Sequence, residues 1–154
     1  MITMDQAVRP QGCTNMKLRQ LMRRVAQRYD AEVGKIGLKT TQYSLLSHVL
    51  KLAPVRPGDL ARAMTIDAST LTRNLRPLID GGWVTLEPGA DGRSRLVNIT
   101  PAGRDKRQEA QRRWRVAQES INQTLGVQRV LALHALIGES MELLAPLSDG
   151  DDDE

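Results

Sequence analysis

Apolar residues recur in steps of three and four at Leu18, Leu21, Met22, Val25, Tyr29, Val33 and Ile36. That spacing places them on one face of a helix. Lys17, Arg19, Arg23, Arg24 and Arg28 occupy the other face, and Gly34 and Gly37 weaken the pattern, with Gly37 as its stop. A second helix is expected from Thr40 as N-cap, through Leu45, Leu46, Val49 and Leu50, to Ala53, where Pro54 ends it. Pro57 suits the first turn of a short third helix reaching about Met64, although Arg56 is a poor cap. Asp67 reads as the N-cap of a fourth helix, Ala68 to Asp80, closed by Gly81 and Gly82. Pro77 lies inside it and should kink it or shorten its regular part.

The texture then changes. Trp83 to Leu86 reads as a strand, Glu87 to Gly92 is dense in turn formers, and Arg95 to Ile99 reads as the return strand. Thr100 and Pro101 make a helix entry, cap followed by first turn. The fifth helix runs to about Leu125 with Ala110, Trp114, Ala117, Ile121 and Leu125 on one stripe, until Gly126 breaks it. The sixth, about Val127 to Pro146, carries two apolar stripes: Val130, Leu131, His134, Ile137 and Met141, and Leu133, Leu136, Leu143 and Leu147. A helix apolar most of the way round is covered on several sides. In a chain of 154 residues part of that cover is expected from a second subunit.

The order of elements is mainly α: a winged helix-turn-helix with a two-stranded β wing, and, as the family resemblance given below implies, an α-helical dimerisation region drawn from both ends of the chain. We expect a disordered N-terminus over 1–12, a single domain over 13–147 and a disordered acidic tail over 148–154. Within the domain the winged core spans about 38–100, and the dimerisation helices about 13–36 and 101–146.

Composition narrows the function. The net charge is +4, and setting aside the five carboxylates of the tail (Asp149, Asp151, Asp152, Asp153 and Glu154) leaves the rest at +9. A basic body suits a polyanion. No apolar run approaches the roughly 20 residues of a membrane span, no secretory h-region opens the chain, and one cysteine forms no intrachain disulfide. A cytoplasmic protein is expected. Two isolated histidines and Cys13 give no metal-ligand spacing, and neither a phosphate loop nor a nucleophile elbow is present, so no catalysis, cofactor or metal is expected. With no Phe, two Trp and two Tyr, a single-stranded nucleic acid would find little to stack on.

The DNA signal lies in the fourth helix and the hairpin. After the turn Thr65-Ile66-Asp67, a helix beginning Ala68, Ser69, Thr70, Thr72, Arg73 and Arg76 offers small residues for close approach, hydroxyls for phosphates or bases, and arginines for guanine edges. Leu71, Leu75 and Leu78 or Ile79 form its inward face, so Ser69, Thr72, Arg73 and Arg76 should point outward. At the hairpin tip Arg93 can enter a minor groove, Asp91 can brace it, and Arg95 can meet a phosphate. Singly, each feature has an ordinary explanation as a cap, a solvated arginine or a basic hairpin; in this order and spacing they point to double-stranded DNA. A winged helix serving only protein contacts would favour apolar or acidic residues where Arg73 and Arg76 stand.

These motifs resemble the MarR family of bacterial transcription regulators over roughly residues 13–146. The shared pattern is Gly37-Leu38, Gln42, Leu60-Ala61, Ser69-Thr70-Leu71-Thr72-Arg73, Leu78, Gly82-Trp83-Val84, Asp91-Gly92-Arg93-Ser94-Arg95 and Ile99-Thr100-Pro101-Ala102-Gly103. The wing with its trailing threonine and glycine is the most specific part. The resemblance implies a homodimer whose first, fifth and sixth helices intertwine and whose recognition helices read half-sites of a pseudo-palindromic operator. It implies DNA contacts at Ser69, Thr70, Thr72, Arg73, Arg76, Asp91, Arg93 and Arg95. It also implies a repressor that lets go when a small aromatic or phenolic acid binds between the dimerisation and DNA-binding parts. Arg56, where a serine-like cap is usual, and Pro77 are the departures.

A carboxylate effector needs a cation in its pocket. Arg19 and Arg23 are candidates, with His48 as a hydrogen-bonding partner and Met16 as adaptable apolar lining. The alternative is a thiol switch at Cys13. One branch of the family senses organic hydroperoxides through a first-helix cysteine. Aligned on Tyr29, that cysteine falls at Asn15, and two residues turn a helical side chain by roughly 200°.

Overall fold

The computed structural model describes residues 10–147. The expected acidic tail, and all but residues 10–12 of the expected N-terminal segment, lie outside the described residues. Helix α1 spans Thr14–Val33 and tightens into a 3-10 turn at Gly34–Ile36; α2 is Thr40–Leu52, α3 Pro57–Met64 and α4 Ala68–Asp80. Strands β1 (Val84–Pro88) and β2 (Arg95–Ile99) pair antiparallel, from Val84 opposite Ile99 to Pro88 opposite Arg95. Helices α5 (Pro101–Leu125) and α6 (Val127–Leu143) follow. The described residues are mainly helical, with six α-helices and one two-stranded wing among them. Among the described residues no helix is long and apolar enough to cross a membrane.

Residues up to Ala117 form one compact unit, and those from Gln118 onward a second, with the division inside α5. The first unit holds the buried cluster: Leu45, Leu46 and Val49 of α2, Leu60 and Ala61 of α3, Leu71, Leu75 and Leu78 of α4, and Val84 and Val97 of the wing. Val33, Leu38, Val55 and Ala110 complete it. Burying each such side chain is worth about 1.5–3 kcal/mol, except the smaller alanines, and together they fix which face of α4 is left to solvent.

Several ends differ from the expectation. Thr40 is the first residue of α2, not its cap. Asp30 of α1 caps it instead, accepting the Thr40 amide at 3.0 Å and its hydroxyl at 2.6 Å. Helix α4 continues through Pro77 to Asp80 without shortening. The ring is exposed, and removes only the amide that would have bonded the Arg73 carbonyl. Strand β1 starts at Val84 and extends to Pro88. Helix α6 stops at Leu143, short of Pro146, because a residue before proline avoids the helical region.

In the second unit Ile121 and Val130 are buried. Leu131, Leu136, Ile137, Met141 and Leu143 of α6 are exposed, from 43% at Ile137 to 85% at Leu143. In the first unit, Met16, Leu18 and Met22 of α1 are exposed as well.

Thr100 bonds the wing base to the start of α5. The Thr100 hydroxyl donates to the Gly82 carbonyl at 2.7 Å, accepts the Gly103 amide at 3.0 Å as the N-cap of α5, and its amide bonds the Trp83 carbonyl at 3.0 Å. Gly103 is buried against that same backbone: a Cβ there would collide with the Trp83 carbonyl oxygen and lie 2.8 Å from its carbon and 2.9 Å from Ile99 Cγ1. We therefore expect Gly103→Ala to cost at least about 1–3 kcal/mol of stability, read as a lower denaturant midpoint at unchanged slope. An unchanged midpoint would show that the junction tolerates the extra methyl.

Candidate nucleic-acid interface

The turn between α3 and α4 is built without glycine. Thr65 adopts the left-handed region (φ 55°, ψ 45°), unusual for a β-branched residue. It is held there by the Thr65 amide on the Arg62 carbonyl and the Ile66 amide on the Ala61 carbonyl, both at 3.1 Å. Asp67 then caps α4. Its carboxylate accepts the Thr70 amide at 2.7 Å and the Ser69 hydroxyl at 2.8 Å. The Thr70 amide, then the Ser69 and Thr70 hydroxyls, stabilise the charged form and lower its pKa from 3.8 to about 2.

Helix α4 presents the expected faces. Leu71, Leu75 and Leu78 are buried, while Ser69, Thr72, Arg73 and Arg76 are exposed and Thr70 is half-buried. Two hydroxyl protons are already committed, that of Ser69 to Asp67 and that of Thr72 to the Ala68 carbonyl at 2.9 Å. Their oxygens stay open to donors such as an exocyclic base amine. Arg76 Nε lies 3.3 Å from Asp80, but both side chains are well exposed, so this pair is weak and releasable.

The wing tip is shaped by Asp91. Its carboxylate accepts the Ser94 amide at 2.9 Å, the Ser94 hydroxyl at 2.7 Å and the Arg93 amide at 3.0 Å. These bonds, the Ser94 amide foremost, lower its pKa from 3.8 to about 2. Asp91 thus braces the backbone of Arg93 rather than its guanidinium. Gly92 takes φ 70°, a value open to glycine at no steric cost, and the Gly89 amide closes the turn on the Ser94 carbonyl at 2.6 Å. Arg93 and Arg95 are exposed on this frame. At the wing base Trp83 is half-buried, with Lys106 Nζ 5.4 Å from its ring centroid.

A cleft of about 420 Å³ opens beside α2 and α5, lined by Ser47, His48, Leu50, Lys51 and Arg107. Arg107 bonds Ser47 Oγ at 3.2 Å and Gln111 at 3.0 Å, and its guanidinium lies 5.8 Å from the Tyr43 ring centroid. His48 Nδ1 is 2.8 Å from the Ser44 carbonyl, which can only accept, so Nδ1 carries the proton and Nε2 faces outward as an acceptor in the neutral ring. Of the sequence candidates for an effector pocket, His48 lines this cleft. Met16, Arg19 and Arg23 do not; they are exposed on α1, with Arg19 bonded to Asn15 at 3.2 Å. The helical spacing of Ser47, His48 and Lys51 was readable, but Arg107 joins them only through the fold. Cys13 is exposed just before α1 and makes no side-chain cap bond.

The two aspartates give a pH prediction. Each carboxyl is held below its ordinary 3.8, so the bonds it accepts are fully stabilising above that value and are lost as pH falls toward 2. Carboxyl-carbon NMR titration should find Asp67 and Asp91 still ionised at pH 3. Midpoints near 4 would mean that cap and wing are not held by these bonds.

Comparison with known proteins follows this geometry. A model of the MarR family matches residues 36–94. The uncharacterized HTH-type transcriptional regulator YwoH of Bacillus subtilis is 27% identical over 93 residues, 60% of this chain and 68% of that protein. The structure of the M. tuberculosis transcriptional regulator MosR in complex with DNA aligns with TM-score 0.65 and 29% identity, over 84% of this chain and 98% of that one. A mutant MarR of E. coli complexed with operator DNA aligns with TM-score 0.74 over 82% of this chain and 92% of that one; at 19% identity it shows the fold alone.

Proposed function

We propose that this chain, similar to the MarR family of transcriptional regulators over residues 36–94, is a cytoplasmic homodimeric repressor that reads a pseudo-palindromic operator in double-stranded DNA. The observation that carries the reading is the outward face of α4. Ser69, Thr72, Arg73 and Arg76 stand exposed on a helix whose other face is locked into the core, beside a wing that carries Arg93 and Arg95. A helix so held can enter a major groove while the wing follows the neighbouring minor groove. The exposed leucines, isoleucine and methionine of α6, and separately the exposed Met16, Leu18 and Met22 of α1, are apolar residues that a second copy would cover.

Release is assigned to the α2–α5 cleft. Lys51 and Arg107 supply cations for a carboxylate, the His48 ring an acceptor for a hydroxyl, and Leu50 apolar contact. That set fits a small aromatic acid, a phenolic acid among them. Arg107 also bonds Ser47, so an anion drawing on its guanidinium competes with a tie between α5 and α2.

Gel shifts with the DNA upstream of its own gene should show a specific complex that weakens as salt rises; absence of any such complex would sink the reading. Arg73→Ala should cost about 1–3 kcal/mol and relax preference at one operator position. Arg93→Ala should weaken binding, and unchanged affinity would remove the wing from the mechanism. In a thermal-shift screen aromatic acids should raise Tm, an effect lost in Arg107→Gln. A rise that survives that change would place the effector elsewhere.

A further inference from the structure

Arg56 occupies the N-cap position of α3, yet its side chain makes no cap bond. Serine, threonine, aspartate or asparagine there would accept an amide of the first turn and stabilise the helix. The side chain is exposed and has no hydrogen bond or ion pair among the described residues. It does no evident structural work where it stands.

Its position is nevertheless well defined. Val55, the preceding residue, is buried and joined to β2 by two backbone bonds, its amide to the Val97 carbonyl at 3.1 Å and the Val97 amide to its carbonyl at 2.8 Å. The pairing is antiparallel, so the chain beyond Val55 runs beside the Leu96–Arg95 end of β2, toward the wing tip. Arg56 also lies close enough to Asp91 for its charge to act on that carboxylate, although no ion pair forms. Asp91 Oδ1 accepts all three bonds of the turn, from Ser94 and Arg93, and the Arg56 guanidinium makes no hydrogen bond to that carboxylate, so Arg56 keeps its donors for another partner.

We propose that Arg56 is a further DNA contact: a third cation beside Arg93 and Arg95 that grips a backbone phosphate next to the groove the wing enters. The inference rests on the DNA-binding reading above. An exposed guanidinium tied to a strand by a bonded neighbour offers a planar fork at a set position, the arrangement that suits a phosphate. A phosphate contact positions the protein and carries no sequence information. Arg56 therefore adds affinity equally on every duplex.

The test uses the full chain and two fluorescent duplexes, one selected by the wild-type protein from random-sequence DNA and one of unrelated mixed sequence, each titrated across a salt series. Arg56→Gln should weaken binding to both by the same factor and lower the slope of log affinity against log salt by about one per subunit. Arg56→Lys, which keeps the charge, should hold the slope. Unchanged affinity and slope in Arg56→Gln, or a loss confined to the selected duplex, would overturn the proposal. Melting by circular dichroism separates these results from misfolding. If Arg56→Gln melts early, the Lys variant decides: retained slope supports the phosphate contact, and a slope lost by a folded Lys variant overturns it. Wild-type protein that binds neither duplex refutes the DNA-binding reading itself, whereas steep wild-type binding with an unaffected Arg56→Gln refutes only the role of Arg56.

Discussion

The rest of the first unit depends on the contact between Gly103 and the Trp83 backbone. Two chain segments meet there closer than any side chain allows, and Thr100 bonds across the meeting point to Gly82 and Trp83. The exit of α4, both strands of the wing and the start of α5 therefore share one rigid junction. The motif Thr100-Pro101-Ala102-Gly103 has a physical content beyond opening a helix: a hydroxyl that serves as donor and acceptor at once, followed by a residue with no Cβ.

From that junction outward, polar chemistry is divided between shaping and reading. Asp67 and Asp91 each use Oδ1 to hold backbone amide and hydroxyl donors. They set the first turn of α4 and the tip of the wing. The cations stand free of that work, and a surface arginine held by a well-bonded backbone loses less entropy on binding than one on a loose loop. The cost falls on Thr65, whose left-handed backbone is tolerated because the turn it makes lets Leu60, Ala61 and Leu71 all enter the core.

The effector reading follows the same division. A cleft built from one turn of α2 and a single arginine of α5 brings two cations beside a histidine with a fixed tautomer. Arg107 is shared between the cleft and the tie to Ser47. In the proposed reading an anion in the cleft would compete with that tie for one guanidinium.

Much was legible from local pattern. The apolar spacing located six helices and a hairpin within a few residues, and the alternation of Leu71, Leu75 and Leu78 with Ser69, Thr72, Arg73 and Arg76 assigned both faces of α4. Periodicity and turn chemistry act over a few neighbours, so a single chain displays them. What only the tertiary structure decided rests on residues far apart in sequence. Asp30 caps α2 across 10 positions, Thr100 reaches Gly82 across 18, and Arg107 meets Ser47 across 60. The left-handed Thr65 had no glycine to announce it, and nothing in local spacing placed Arg107 beside His48. Local propensity fixes what each segment is; which groups meet is set by packing, because the buried apolar faces choose the geometry and the polar side chains then bond what that geometry brings within reach.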